Sequence, residues 1–214
     1  MSKYRTPVRR AVAALALGVL APALAVVTTT PAQAQTSAPT LSVGTQQPRT
    51  ATASYTWRKL NLTMQQQVNS NWCWAASGNT IATYYGYNYS QNQFCNAAFG
   101  RSTNSTCPNS QAALDDVQNA LSWIGINPGS YVNGYLRYST VQSEIDANRP
   151  VETRIQWSSG GGHMEVIYGY DVSNNWVYWG DPWPSDNRYN WADYWYYVSN
   201  NSFSWTHSLY RIGA

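Results

Sequence analysis

The spacing of hydrophobic positions changes along this chain, and each change marks a segment. From Ala11 to Val27 the residues form an apolar run behind a basic start of Lys3, Arg5, Arg9 and Arg10. The run closes at Ala32-Gln33-Ala34. A charged head, a short apolar middle and a small-residue end predict a secretory leader over residues 1–34, cleaved after Ala34. Pro22 and the polar stretch Thr28-Thr29-Thr30-Pro31 make the run a poor membrane span. Residues 35–54 are mostly Thr, Ser, Pro, Gln and Ala, which cannot bury enough surface to fold, so a loose tail or short pro-segment is expected there. The folded domain is expected over residues 55–214.

Within that domain the first half has a helical period. Cys73-Trp74-Ala75-Ala76-Ser77 leads into Ile81, Tyr84 and Tyr85 at spacings of three and four, with Gly86 as a stop. A second helix is predicted from Ser110 to Trp123, with Ala113, Val117, Ala120, Leu121 and Ile124 on one face and Asp115 and Asp116 early, where the helix dipole favours acids. A third is predicted from Thr140 to Ala147, opened by a capping box of Ser139 and Gln142. From Val151 the period becomes two. Val151, Thr153, Ile155 and Trp157 alternate with Glu152, Arg154 and Gln156, and the stretch from His163 to Tyr168 alternates likewise. Trp176–Trp179, Tyr194–Val198 and Trp205–Ile212 are further β-rich runs. A helical half followed by an antiparallel half predicts an α+β domain with a cleft between its lobes.

Composition and charge narrow the function. The chain carries 13 Lys+Arg and 10 Asp+Glu, but four of the basic residues lie in the leader. The remainder has net charge −1, which gives no reason to expect a nucleic-acid or membrane partner. The 11 Trp and 17 Tyr suit both a core and a binding groove. Three cysteines are an odd number for an exported protein. Cys95 and Cys107 flank a Ser- and Asn-rich loop and are expected to form a disulfide, which leaves Cys73 free. With two His and no C-x-x-C, neither a metal site nor a cofactor is called for.

Candidate chemistry collects at four positions. Cys73 stands where the first helix begins, a place that favours a thiolate when an imidazolium is near. Gln67, six residues upstream, offers an amide for a developing oxyanion. His163 follows Gly160-Gly161-Gly162 at the mouth of a strand and is the candidate base. Asp181, in Gly180-Asp181-Pro182, closes the following strand, so hairpin pairing brings it towards His163 as the group that orients the ring. Asp171 sits at the far end of that hairpin, and His207 lies within a strand pattern; both read as structural.

The string Gln67-x5-Cys73-Trp74-Ala75-Ala76-Ser77, with Arg149-Pro150-Val151, Gly161-Gly162-His163-Met164-Glu165-Val166-Ile167-Tyr168-Gly169-Tyr170-Asp171 and Gly180-Asp181-Pro182, resembles bacterial papain-like cysteine peptidases of the compact secreted and effector kind. The resemblance spans about Leu62 to Pro182. It implies a helical lobe packed on an antiparallel β half-barrel, with Cys73 as nucleophile, His163 as base, Asp181 as its orienter and Gln67 in the oxyanion hole. The implied partner is a protein or peptide substrate met by a monomer, with Trp72, Trp74 and Gly162 as candidate substrate contacts. The local C-G-[SA]-C-[WY] signature is absent, since this chain has Asn71-Trp72-Cys73-Trp74, and the His follows the Cys more closely than in larger members. Two other readings stay open: a hydrolase of cell-wall peptides or amides using the same site, and a non-catalytic carbohydrate-binding module built on the aromatics.

Overall fold

The computed structural model describes residues 55–214; the expected leader and tail lie outside the described residues. In chain order the elements are β1 (Trp57–Lys59), α1 (Cys73–Tyr84), α2 (Gln91–Ala98), α3 (Leu114–Ile124), β2 (Ser130–Val132), α4 (Tyr138–Asp146), β3 (Val151–Trp157), β4 (Gly162–Asp171), β5 (Trp176–Gly180), β6 (Tyr189–Asp193), α5 (Tyr194–Val198) and β7 (Phe203–Tyr210). Helices dominate the first half, and antiparallel strands dominate the second, as the change of period predicts.

Helix α1 is buried continuously from Trp74 to Ala82, including its polar residues. A helix with no solvent face has partners on all sides. Its Gly78 has no room for a methyl, since a Cβ there would come within 2.5 Å of the Phe94 ring of α2. Buried polar groups on this helix bond to the flanking loops: Asn79 Nδ2 donates to Tyr89 O at 2.7 Å, and Thr80 Oγ1 accepts from Gln65 N at 3.0 Å.

Helix α2 is not among the helices that the hydrophobic spacing predicts. Its start carries a capping box, Ser90 with Gln93. Cys95 on α2 is bonded to Cys107, which ties this helix to the loop before α3. Helix α3 begins at Leu114 rather than Ser110. The reason is that the carbonyls of Pro108 and Ser110 are turned to the indole N–H groups of Trp72 and Trp74, both at 3.0 Å. Helix α4 begins at Tyr138, and its cap position, Arg137, makes no side-chain bond. Ser139 therefore lies inside the helix, and the expected capping box with Gln142 is not formed. The Tyr194–Val198 run is helical, not extended, because Asp193 Oδ1 accepts from Trp195 N and caps it.

The sheet has seven strands, in the order β2-β7-β3-β4-β5-β6, with β1 also pairing with β4. Arg154 pairs with Met164 and Ile155 with His163 across β3 and β4. Strand β4 is buried on both faces from His163 to Tyr170, with α1 and α4 on one side and the aromatic filling of the curved sheet on the other. In that filling Tyr197 packs against Trp179, Trp205 and Phe203. Among the described residues no helix is long and apolar enough to cross a membrane.

Candidate active site

The N-terminus of α1 faces the open end of β4 across a cleft, so Cys73 and His163 line the same two cavities. Cys73 is the first residue of its helix, and the cap position, Trp72, contributes no side-chain acceptor. Backbone N–H groups in a helix's first turn have no partner within the helix, so they are free to point at negative charge near the sulfur. Cys73 is also the one cysteine outside the disulfide.

His163 is almost completely buried, with 5% of its surface exposed. Its Nε2 lies 2.8 Å from Asp181 Oδ1, which also accepts from the Trp183 N–H at 2.7 Å. An ionised carboxylate only accepts, so Nε2 carries a proton, and Nδ1 is left as the nitrogen that exchanges a proton with Cys73. Strand pairing explains the contact. Val166 lies opposite Gly180, so the hairpin of β4 and β5 brings the start of one strand to the end of the other. Burial favours the neutral ring. The hydrogen bond to Asp181, the neighbouring Cys73 and the charge of Glu165 outweigh it, and the His163 pKa rises to about 10.

Three aromatic and acidic neighbours complete the pair, and none stands out in the sequence. Trp157 stacks on the imidazole at 6.1 Å and 25°. Trp183 meets its edge at 6.2 Å and 83°. Together they shield the His163–Asp181 bond from water. Beneath them lies Glu165, 3% exposed, with Oε2 accepting from Tyr197 Oη at 2.8 Å. Burial pushes the Glu165 pKa up to about 8. Ligand atoms of His163, Glu165 and Asp181 lie within 4.8 Å of one another. A cation among them would compete for Nε2 and Oδ1, which are already joined, and for an acid that burial holds towards its neutral form. This donor set suits a hydrogen-bonded relay better than a metal.

Gln67 is buried in the loop before α1, but its amide faces that loop. Nε2 donates to Asn69 O at 2.9 Å and to Ser70 O at 3.0 Å, and Oε1 has no donor. This differs from the open oxyanion donor expected, because the loop's two converging carbonyls take both amide hydrogens. The Gln67 N–H bonds Pro182 O at 2.9 Å, tying the loop to the segment that carries Asp181.

Of the expected substrate contacts, Gly162 is exposed and lines both cavities. Trp72 and Trp74 do not fit that expectation. They are 2% and 1% exposed, their indoles are bonded to loop carbonyls, and the Trp74 ring packs on Phe94 and Phe99. Their sequence position beside Cys73 reflects core packing of the helical lobe. Asp171 caps the β4–β5 turn, accepting from Ser173 N at 2.9 Å, and His207 leans on Tyr131 with its Nδ1 2.8 Å from Thr206 Oγ1.

The cleft has two arms. One, of about 80 Å³, is bordered by Asn71, Gln111, Arg154 and Met164; the other, of about 330 Å³, by Trp157, Trp183 and Asp186.

Residues 55–200 match the family described as papain-like cysteine protease AvrRpt2. Among solved structures, the peptidase domain of Streptococcus ComA, a bi-functional ABC transporter involved in a quorum sensing pathway, is similar in fold. Its TM-score is 0.53 at 21% identity, over 70% of this chain and 96% of that domain. Xylellain, a cysteine protease from Xylella fastidiosa, aligns at a TM-score of 0.46 and 11% identity, over 77% of this chain and 89% of its own. No curated protein matches the sequence.

Proposed function

This chain belongs to the papain-like cysteine protease family of the AvrRpt2 type, and from that premise we propose that it is an exported endopeptidase working through Cys73, His163 and Asp181. The observation that carries the reading is the 2.8 Å bond from His163 Nε2 to Asp181, which leaves Nδ1 towards a free cysteine at a helix N-terminus.

In the proposed cycle the His163 imidazolium and the Cys73 thiolate form the resting pair. The thiolate attacks the carbonyl carbon of the scissile amide. Negative charge on its oxygen is taken by the Cys73 N–H and by Gln67 Nε2, which exchanges the Ser70 carbonyl for the substrate. His163 Nδ1 protonates the leaving amine, and collapse of the intermediate gives a thioester. The imidazole then takes a proton from water, which attacks the thioester and restores the thiol pair. Asp181 holds the ring's orientation and its positive charge throughout. This scheme uses only protein groups.

The leader motif supports export with cleavage after Ala34, so N-terminal sequencing of the exported protein is expected to begin at Gln35. The enzymatic reading is tested with casein and purified peptidoglycan as parallel substrates. Casein cleavage lost in Cys73→Ala is the expected result. Release of peptides from peptidoglycan alone would move the activity to cell-wall amides, and polysaccharide binding unaffected by Cys73→Ala without any hydrolysis would contradict the protease reading.

A further inference from the structure

The smaller arm of the cleft holds a positive charge without a counter-ion. Arg154 Nη1 donates to Thr206 Oγ1 at 3.0 Å and Nη2 to Gln156 Oε1 at 3.1 Å, both neutral partners. Among the described residues the ion pairs are Arg58–Asp146, Arg149–Glu144 and His163–Asp181, so no carboxylate reaches Arg154. Guanidinium groups inside proteins ordinarily meet carboxylates in bidentate geometry, which makes a neutral cradle beside a nucleophile informative.

The fold aims this side chain at the cleft. Ser77 Oγ touches Glu152 Oε1 at 2.6 Å and Cys73 O at 2.8 Å, fixing β3 against α1. From that contact, one turn back along α1 reaches Cys73, about 5 Å away. Two residues along β3, about 7 Å, reach Arg154 on the same face. Helix and strand therefore deliver the sulfur and the guanidinium to one cavity, which both line. A register shift between β3 and β7 falls at Arg154/Ile155, and Thr206 beside it donates its hydroxyl back to Arg154 O at 3.1 Å. Irregularities of this kind re-aim a side chain. The guanidinium then lies over Gly162: a Cβ there would come 2.6 Å from Arg154 Cζ. The glycine next to His163 thus makes room for the cation. The other arm carries an acid, Asp186, beside Trp157 and Trp183.

We infer that Arg154 is a specificity residue that binds a carboxylate of the substrate within a residue or two of the scissile bond, in the small arm between Cys73 and Gly162. This rests on the peptidase reading above. The carboxylate is either an Asp or Glu side chain or the free C terminus of a peptide.

The test starts from a casein bond that the enzyme cuts. Quenched fluorescent peptides of that sequence carry Glu, Gln or Lys at each of the two positions on either side of the bond, with free and amidated C termini. Wild type is expected to prefer Glu over Gln by roughly tenfold or more in kcat/KM at one position. Arg154→Lys should keep the sign of the preference, and Arg154→Glu should reverse it towards Lys. A preference for Glu over Gln assigns the site to an acidic side chain, and a preference for the free over the amidated C terminus, with Glu, Gln and Lys peptides cut alike, assigns it to a terminal carboxylate. The wild-type comparison stands even if a variant fails to fold. Equal rates for Glu, Gln and Lys peptides, with free and amidated C termini cut alike, overturn the inference and leave the peptidase intact; no hydrolysis of casein or any peptide overturns both.

Discussion

The carboxyl of Glu152 lies 2.6 Å from the hydroxyl of Ser77, one turn into the helix that starts at Cys73. Ser77 has a single hydrogen, and the carbonyl of Cys73 is there to share it at 2.8 Å. Ser77 Oγ also donates to Glu152 Oε1, and burial outweighs that bond in favouring the neutral acid. Its Oε2 has no partner at all, a state tolerable for a carboxylic acid and costly for a carboxylate. Burial accordingly pushes the Glu152 pKa up to about 8, as it does for Glu165.

Stability should fall as pH rises across the neutral range. A carboxyl whose folded pKa is raised binds more protons in the native state than in the unfolded one. Its contribution is complete below about 4.5 and is lost as pH climbs through about 8. Both acids are fully buried, and a tenfold change in proton affinity corresponds to roughly 1.4 kcal/mol, so several kcal/mol depend on their protonation. His163, raised to about 10, adds loss in the same direction above its usual 6.5. Urea midpoints are expected to drop from mildly acidic to mildly alkaline buffer, with a shallower slope in Glu152→Gln. An unchanged slope in that variant would contradict the assignment.

Replacing Asp181 should separate charge from orientation. Asn at this position can still accept from Nε2–H but no longer supports an imidazolium. Protonated His163 is the form that donates to the leaving amine, so kcat/KM is expected to decline as pH rises through about 10. In Asp181→Asn that alkaline limb should move down, with a modest fall in kcat. Asp181→Ala, which also releases the ring, should lose roughly 10²-fold or more. Identical pH profiles in wild type and Asp181→Asn would argue against the ion pair.

Gln67 has two roles to distinguish. Its amide braces the loop before α1 and is proposed to turn towards the oxyanion. Gln67→Ala is expected to lower kcat by about 10²- to 10³-fold, the usual effect of one lost donor. A variant with wild-type kcat but a lowered Tm would restrict Gln67 to the loop.

The disulfide should matter for stability and not for chemistry. Cys95 and Cys107 are 12 residues apart in sequence and link α2 to the loop that receives the Trp72 indole. Cys95→Ala with Cys107→Ala is expected to lose about 3 kcal/mol in urea unfolding, while the folded fraction keeps its rate of Cys73 alkylation.

Local signals in the sequence were enough for the lobes and for part of the site. The move from helical to twofold spacing at Val151 marks the change of architecture. The glycines before His163 and the Gly180-Asp181-Pro182 turn predict a hairpin that joins His163 to Asp181. What escaped depends on distant pairing. Trp72 and Trp74 flank the nucleophile in sequence, but they are core residues because Pro108 and Ser110 present carbonyls to their indoles. Glu165 looks like the polar half of an alternating strand until Tyr197, 32 residues later, closes over it. Tyr194–Val198 has strand-forming residues throughout, yet Asp193 caps it as a helix. For α2 the signal was present in Ser90 and Gln93, but a segment so rich in Gln and Asn hides its apolar face.

The central claim is that His163 activates the Cys73 sulfur, and the direct measurement is the alkylation rate of that residue. Purified protein is treated with iodoacetamide at mildly acidic pH, and modification of Cys73 is followed by peptide mass spectrometry in wild type and His163→Ala. The wild-type rate should exceed that of the variant by roughly tenfold or more, because without the imidazolium the thiol stays protonated. Equal rates in the two proteins would contradict the account.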